Sequence, residues 1–211
     1  MMNIALVINT TDKYSFLWKK WYFFFKTNWE VECPVYWLNE TKDIDFPFTQ
    51  IKVNIPEKKL WTKKYRLSIE QIPEENLFVL LEDHFIVKRF THEDFEGIYR
   101  MFKTLDADAL RVKFATSKYA TVHETPFKIK NPVDKLDDHS MYLVSHAPNL
   151  WKKSFLLECL KLDEDPWESE AKGTKRIKGK GYKIYSYIKP DWYVNVYRGN
   201  RYSIQGQKLI R

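Results

Sequence analysis

Two acids and a histidine follow the most apolar run of the chain, where they could carry out metal and phosphate chemistry. Glu82, Asp83 and His84 come directly after residues 77–81, a run that predicts a buried strand. Carboxylates at a buried strand end are costly unless a cation or a donor accompanies them. Mg²⁺ and Mn²⁺ are held by one or two carboxylates together with ligand phosphates. The triplet predicts either such a site or an acid pair satisfied by Arg, Lys or backbone N–H groups.

Polar residues also follow the first two predicted strands. Thr10, Thr11 and Asp12 follow the first strand, and Asn39 and Glu40 follow the second. Ligands of open α/β sheets bind outside the carboxyl ends of the strands, so these residues are candidate ligand contacts. Asn39 and Glu40 are candidates for contacting a nucleoside and are equally plausible as turn residues.

A basic residue precedes the acidic triplet by sixteen positions. Arg66 lies on the predicted helix before the strand that delivers Glu82. With one helix and one turn between them, Arg66 can return to the same crevice and meet a diphosphate. We therefore expect Arg66 to contribute to binding phosphate.

The elements that must position these residues alternate along the first half of the chain. Apolar runs predict strands at 3–9, 34–38, 77–81 and 109–114, and helical spacing predicts helices at 14–29 and 59–72. Thr91 is the predicted N-cap of a further helix with acids in its first turn. Residues 41–50 are interpreted as a loop. The order predicts an α/β fold whose mixed, mostly parallel central sheet carries helices on both faces.

The second half is less regular. Residues 116–140 show no clear period and are interpreted as a long loop. Residues 141–145 predict a strand, and Asn149 predicts the cap of a helix reaching about residue 162. Residues 182–188 and 192–197 predict two more strands, the second at a sheet edge.

Length and composition exclude several classes of protein. The 211 residues, 44% hydrophobic and 17% aromatic, exclude a disordered chain and predict one domain over residues 1–211, compatible with the N-terminal part of a longer polypeptide. The first glycine is Gly97, which excludes a P-loop or a GxGxxG turn from the first half. Two cysteines without metal or disulfide spacing predict a reducing compartment. The absence of a leader and of a long apolar span predicts a soluble cytoplasmic protein.

Positive charge is concentrated at the end of the chain. Residues 172–211 hold eleven Lys or Arg and one acid, while the whole chain carries a net charge of +7. Such asymmetry favours an anionic partner or, equally, a solvated basic face. Interleaved tyrosines make a single-stranded nucleic-acid-binding module, or a module that docks on an anionic surface, the alternative function.

A literal Asp-x-Asp occurs at Asp106 and Asp108, but it precedes its predicted strand. That order places both acids at the opposite edge of the sheet from the other polar strand ends. We interpret them as a loop feature rather than as a metal site.

Taken together, these residues resemble the nucleotide-sugar-dependent glycosyltransferases of the GT-A fold, a Rossmann-like architecture. The likeness consists of an Arg-bearing helix, an apolar strand and an acidic element, a Thr-rich turn after the first strand, the late acidic segment 163–170 and Arg198-Gly-Asn. Within the family the chain is similar to the N-terminal domain of a multidomain chlorella-virus enzyme that glycosylates the major capsid protein. It differs in having His84 at the third acidic position.

The resemblance implies an inverting, metal-dependent transfer. Asp83, with His84 or Glu82, would hold Mn²⁺ or Mg²⁺, and Arg198 would join Arg66 on the diphosphate. Asp165 or Glu168 would deprotonate the acceptor hydroxyl, although an acid in the first turn of a helix also interacts favourably with its dipole.

The resemblance also implies substrates. The donor would be a UDP-sugar, UDP-L-rhamnose or UDP-glucose, and the acceptor a hydroxyl of a glycan on a viral capsid glycoprotein. Trp167, beside the late acids, is a candidate stacking platform for an acceptor sugar, although most tryptophans belong to protein cores.

Overall fold

The structure is a computed structural model that describes residues 3–112, 122–124, 133–161, 163–187 and 192–210. Most of the described strands belong to one central sheet. The strands in these residues are β1 (Ile4–Asn9), β2 (Val35–Asn39), β3 (Thr49–Lys52), β4 (Asn76–Leu81), β5 (His84–Ile86), β6 (Ala109–Arg111), β7 (Val122–Glu124), β8 (Val133–Leu136), β9 (Asn149–Lys152), β10 (Ile184–Tyr187), β11 (Tyr193–Asn195), β12 (Tyr197–Arg198) and β13 (Arg201–Tyr202).

Helices connect these strands. They are α1 (Ser15–Asn28), α2 (Trp61–Ile69), α3 (His92–Thr104), α4 (Lys153–Cys159), α5 (Pro166–Ile177) and α6 (Ile204–Ile210). Thr91 caps α3 as predicted, because its side chain accepts the N–H of Asp94 while the Asp94 carboxylate accepts the N–H of Thr91. Within the described residues, no helix has the length and apolar character needed to cross a bilayer.

Nine described strands form one mixed sheet in the order β3-β2-β1-β4-β9-β6-β10-β8-β7. Seven of them run in the same direction, whereas β8 and β9 run against their neighbours. β1 is buried along its whole length, as its uninterrupted apolar sequence predicts for a parallel strand covered on both sides. The predicted α/β fold with a mostly parallel central sheet is confirmed.

Helices cover both faces of this sheet. Side chains alternate along β1, so that Leu6 and Ile8 belong to one hydrophobic cluster and Ala5 and Val7 to the other. The buried faces of α1 and α3 join the first cluster, and those of α2, α4 and α5 join the second.

The strongest departures from the sequence predictions fall after residue 140. Residues 141–145 form no strand, and Asn149 starts β9 instead of capping a helix. β9 inserts antiparallel between β4 and β6, and α4 follows it without a linker. The apolar runs 150–151 and 155–157 are too short to distinguish a strand from a helix by their spacing, so local pattern could not locate the change. Residues 49–50, the end of the predicted loop 41–50, instead begin edge strand β3 (Thr49–Lys52).

Several predictions extend beyond the described residues. Most of 116–140 lies outside them, as do residues 113–114, 162, 188 and 190. The described parts of 116–140 include β7 and β8, which pair with each other at the end of the sheet. That stretch therefore contains regular structure where we expected a loop.

Asp106 and Asp108 lie at the amino end of β6, as predicted. Asp106 bonds the ammonium groups of Lys152 and Lys183 at 2.9 and 2.8 Å, and Asp108 contacts Lys152 at 3.1 Å. These pairs balance the acids at the edge opposite the candidate site.

Candidate functional site

Lys64 lies at the centre of the polar groups that end β1 and β2. Its Nζ donates hydrogen bonds to the backbone oxygen of Thr10 and to Oε1 of Glu40, the latter at 2.9 Å. Only 1% of the Lys64 side chain and 5% of the Glu40 side chain are exposed. Lys64 belongs to the buried face of α2, beside Tyr65. A buried ion pair therefore joins α2 to the carboxyl edge of the sheet.

Burial shifts the pKa values of Lys64 and of its neighbour Glu82 in opposite directions. Burial lowers the pKa of Lys64, although the charges of Glu40 and Glu82 act to raise it. Burial, together with the charge of Asp83, raises the pKa of Glu82 to about 8. A cation arriving beside Glu82 would offset the repulsion from Asp83 and favour the ionised form of Glu82.

Asp12 ties together the two polar segments that follow β1 and β2. Its carboxylate accepts hydrogen bonds from Nδ2 of Asn39 at 2.8 Å and from the N–H groups of Thr41 and Lys42 at 2.9 and 3.0 Å. Partial burial would raise the pKa of Asp12, but these donors outweigh it and lower the pKa to about 2. The backbone N–H of Asp12 bonds to Glu40. The two segments are therefore joined, and Asn39 and Glu40 take part in the join.

Two side chains at the end of β1 have polar atoms without partners. Both amide atoms of Asn9 and the hydroxyl oxygen of Thr11 are buried and make no hydrogen bond with the described residues. The hydroxyl of Thr10, by contrast, accepts the indole N–H of Trp18 at 2.8 Å. Unsatisfied buried polar groups are uncommon and require an explanation such as a ligand or an ordered water.

The acidic turn after β4 is held by the C-terminal part of the chain. β11 pairs antiparallel with β5, placing Asn195 opposite His84. Nδ2 of Asn195 donates to Oδ2 of Asp83 at 3.0 Å, and the N–H of Val196 donates to the Asp83 carbonyl at 2.8 Å. Asn195 and the 192–196 segment thus fix the orientation of Asp83, a contact that the local sequence did not reveal.

His84 is turned back toward its own strand. Its Nδ1 accepts the N–H of Leu81 at 3.2 Å, so the proton of the neutral ring is on Nε2. Nδ1 also lies 3.5 Å from Oδ1 of Asp83. Because Nδ1 of the neutral ring carries no proton, these two atoms do not form an ion pair. The side chain is 3% exposed and packs edge-on against Tyr193. Nδ1 of His84 is therefore poorly placed to bind a metal.

The predicted phosphate contact Arg198 lies in a hairpin near the acids. Gly199 and Asn200 have φ values of 59° and 62°, as a two-residue turn between β12 and β13 requires. The ring of Tyr197 packs 5.7 Å from that of Tyr14. Burial raises the pKa of Tyr14, and the charges of Glu82 and Asp83 act in the same direction. Val196, the residue before β12, donates its N–H to the Asp83 carbonyl at 2.8 Å. The hairpin that carries Arg198 is therefore next to the acidic turn.

Arg66 is directed elsewhere. Its guanidinium donates to the carbonyl of Leu157 at 2.6 Å and contacts the Glu70 carboxylate at 2.9 Å. Arg66 and Lys64 are two positions apart, so they project from different sides of α2. The cation that α2 brings to the strand ends is Lys64, and its position on the apolar face was the signal in the sequence.

Asp165 and Glu168 together cap α5. Oδ1 of Asp165 accepts the N–H groups of Trp167 and Glu168, each at 2.9 Å, and Glu168 accepts the N–H of Asp165 at 3.1 Å. Burial acts to raise the pKa of Asp165, but its bonds to the Glu168 N–H and to Lys58 lower it. Oδ2 of Asp165 faces the Lys58 ammonium at 3.4 Å. Both acids thus have the helix-capping role that we considered for first-turn acids.

A buried arginine at the end of β6 escaped the sequence analysis. Arg111 is 6% exposed, and its Nη2 donates to the carbonyl of Tyr142 at 2.7 Å. Burial lowers its pKa to about 10. β9 places the buried Asn149 between Arg111 and Val79 of β4, so both polar residues lie at the carboxyl edge. No local motif marks either residue.

The side chains at this site supply few ligands for a metal ion. Among the described residues, no three or more His, Cys, Asp or Glu side chains are grouped so that they could hold a metal ion. Asp83 fits a site in which one carboxylate shares the ion with ligand phosphates. His84 does not fit through Nδ1, for the reason given above.

Comparisons with known proteins identify the fold. No protein-family model and no curated protein sequence matches the chain. Among solved structures, S. aureus TarS 1-349 in complex with UDP-GlcNAc aligns with a TM-score of 0.62 and 12% identity over 95% of this chain. The chain spans 60% of that fragment and 36% of a longer TarS structure.

Other solved structures share the fold at similar distance. A cytidylyltransferase from Leptospira borgpetersenii gives a TM-score of 0.54 and 10% identity, covering 98% of this chain and 84% of that one. A UDP-glucose pyrophosphorylase complexed with UDP-glucose gives 0.52 and 10%, covering 89% and 90%. The proteins with this fold thus include several that bind nucleotide sugars.

Proposed function

We propose that this protein is a glycosyltransferase that uses a UDP-sugar. The proposal rests mainly on the position of the Glu82–Asp83 turn, which lies at the carboxyl end of β4 beside the polar ends of β1 and β2. The strand order 3-2-1-4 makes the ends of β1 and β4 a switch point, where α/β sheets bind ligands. Structures that share the fold include TarS with UDP-GlcNAc and a pyrophosphorylase with UDP-glucose.

The nucleoside would bind over the segments that follow β1 and β2. Thr10, Thr11 and Asp12 belong to the first segment and Asn39 ends β2, and the unpaired hydroxyl of Thr11 supplies a hydrogen-bonding group there. Lys64 bonds to both segments and lowers the cost of bringing a diphosphate close to buried carboxylates.

The diphosphate would lie between the acidic turn and the hairpin. Asp83, fixed by Asn195, is the residue that would hold Mn²⁺ or Mg²⁺ together with phosphate oxygens, and the ion would neutralise the leaving charge. The exposed guanidinium of Arg198 would stabilise the same charge from the hairpin. Arg66 would need to leave its contacts with Leu157 and Glu70 to take part.

Of the two candidate bases, Asp165 is the better placed. Its Oδ2 takes no part in capping, whereas one oxygen of Glu168 caps and the other contacts Lys172 at 2.8 Å. The side chain of Trp167 next to it is 62% exposed, as a platform for an acceptor sugar would require. Deprotonation by Asp165 on the face opposite the diphosphate would give inversion at the anomeric carbon.

The finer assignments rest on the family resemblance. UDP-L-rhamnose and UDP-glucose are the proposed donors, and the proposed acceptor is a glycan hydroxyl, carried on a viral capsid glycoprotein.

Ion pairs within the basic tail, residues 172–211, argue against the alternative function of binding a nucleic acid. Four of its cations contact acids of the body: Lys172 with Glu168, Arg176 with Glu164, Lys180 with Glu158 and Lys183 with Asp106. Paired lysines release fewer counterions on binding a nucleic acid than solvated ones.

The test is release of UDP from UDP-glucose, UDP-L-rhamnose and UDP-GlcNAc, with Mn²⁺ or Mg²⁺ and a panel of glycans. Metal-dependent release accompanied by a longer glycan is the expected result. Formation of pyrophosphate from UTP and a sugar phosphate, without any glycosyl transfer, would instead assign nucleotidyl transfer and contradict the proposal.

A further inference from the structure

The outer face of α1 combines exposed aromatic rings with lysines. The helix contains no acid, and its inner face packs on the sheet. On its outer side Phe16 is 53% exposed and Phe23 is 59% exposed, seven residues apart and hence on one side of the helix. Lys19 and Lys26 are exposed beside them, and Nζ of Lys20 lies 5.9 Å from the Phe23 ring.

The hairpin extends this surface. The ring of Phe16 lies 5.4 Å from that of Tyr197 and 6.4 Å from that of Tyr202, so β12 and β13 border α1. Arg198 and Arg201 are exposed on the hairpin, and Ile204 after it is 78% exposed. We call this surface the α1–hairpin face; its residues are Phe16, Lys19, Lys20, Phe23, Lys26, Arg198, Arg201 and Ile204.

The charge of this face is not balanced by the protein. Among the described residues, none of its five cations forms an ion pair with a carboxylate. The acids that flank α1 are engaged elsewhere, Asp12 by the segment that follows β2 and Glu30 by Arg89. The face thus differs from the basic tail on α5, where several cations are paired.

We infer that the α1–hairpin face docks on the surface of an anionic lipid membrane. Exposed Phe and Ile side chains gain by entering the headgroup region, and lysines and arginines around them bind anionic headgroups. Phe16 and Phe23 project from a convex helix rather than lining a groove of the kind that tracks a nucleic-acid strand. Charge complementarity and the apolar tips therefore favour a lipid surface.

The face adjoins the edge that carries Asp83. The hairpin connects the two, because the N–H of Val196, next to Tyr197, donates to the Asp83 carbonyl at 2.8 Å, and the ring of Tyr197 contacts that of Phe16. A protein docked in this way would hold that edge close to the bilayer. Arg198 is shared with the proposed diphosphate site, but the variants that test docking leave Arg198 unchanged and alter no residue assigned to metal binding or base catalysis. Loss of docking and loss of enzymatic activity are therefore distinguishable.

The experiment is flotation of the full chain with neutral phosphatidylcholine vesicles and with vesicles of equal parts phosphatidylcholine and phosphatidylserine. The chain should float only with the anionic vesicles. Each lysine near an anionic surface strengthens binding about fivefold, so Lys19→Gln/Lys26→Gln should weaken it about 30-fold. Phe23→Ser should weaken it about tenfold, because this exposed ring no longer enters the headgroup region.

The matched control removes two exposed lysines from the opposite side of the sheet. Lys175→Gln/Lys178→Gln lowers the net charge equally, and these residues are farther from the docked surface than a screening length, so binding should change by less than about twofold. Near-ultraviolet circular dichroism confirms that each variant is folded.

Three outcomes would overturn the inference. The first is equal flotation with neutral and anionic vesicles, and the second is an equal loss of binding in the α5 control. The third is no flotation with either vesicle, whether or not the chain binds single-stranded nucleic acid or self-associates through Phe23.

Discussion

Replacing Lys64 by methionine should destabilise the protein strongly. The substitution keeps the length and apolar character of the side chain but removes a cation that bonds Glu40 and the Thr10 carbonyl in a site with almost no solvent. Glu40 would be left buried without its counter-charge, close to Glu82. Removal of one partner from a buried ion pair typically costs about 3–5 kcal/mol in free energy of unfolding.

The assay is urea unfolding followed by tryptophan fluorescence, with eight tryptophans as reporters. Glu40→Gln and the double variant Lys64→Met/Glu40→Gln complete a double-mutant cycle, in which the double variant should cost about 1–3 kcal/mol less than the sum of the single ones. Lys63→Met is the matched control, because Lys63 is on the same helix but only half-buried, and it should cost less than about 0.5 kcal/mol. A loss below about 1 kcal/mol for Lys64→Met, with additive single effects, would refute the argument.

Three further predictions concern Asp12, the candidate base Asp165, and Gly206 of α6, which packs against Val196. Asp12→Asn should lower the free energy of unfolding by about 1 kcal/mol at pH 7, after allowance for solvent screening. This loss should become smaller as the pH falls from 3.8 toward 2, because the hydrogen bonds that depress the pKa of Asp12 stabilise only its ionised form. Thermal unfolding at several pH values measures the loss, and a loss that does not change with pH would contradict the prediction. Asp165→Asn should keep the α5 cap and hence the unfolding temperature, since Asn caps as well as Asp, but should abolish glycosyl transfer; unchanged turnover would assign the base elsewhere. Gly206→Ala should destabilise the protein by about 1–3 kcal/mol, because its Cβ would lie 2.2 Å from the Val196 carbonyl oxygen, and equal chemical midpoints in urea would contradict that clash.

Features set by contiguous residues could be predicted from sequence. β1 and β4 are continuous apolar runs buried on both faces, and the polar residues that follow them necessarily emerge at the carboxyl edge. The Thr91 cap is equally local, because its partner Asp94 is three residues away. These signals were sufficient for the α/β fold and for the position of the acidic turn.

Features set by helical phase or by distant strands could not be predicted in the same way. Lys64 lies on the apolar face of α2 and Arg66 does not, but only the packing of α2 shows that this face meets the carboxyl ends of β1 and β2. Asn195 contacts Asp83 across 112 residues through the pairing of β5 and β11. β9 is a strand because its neighbours β4 and β6 offer partners, which its own sequence does not specify.

The central claim is that the turn after β4 binds the diphosphate of a nucleotide with the help of a metal ion. Calorimetric titration of the wild-type chain with UDP, with and without Mn²⁺ and in parallel with GDP, tests it most directly. Asp83→Ala tests the ligand, and Asp45→Ala, an exposed acid in the β2–β3 connection, is the matched control. The account predicts Mn²⁺-dependent binding of UDP that Asp45→Ala retains and Asp83→Ala loses, with both variants folded. Absence of binding by the wild-type chain, or Mn²⁺-dependent UDP affinity retained by Asp83→Ala, would contradict it.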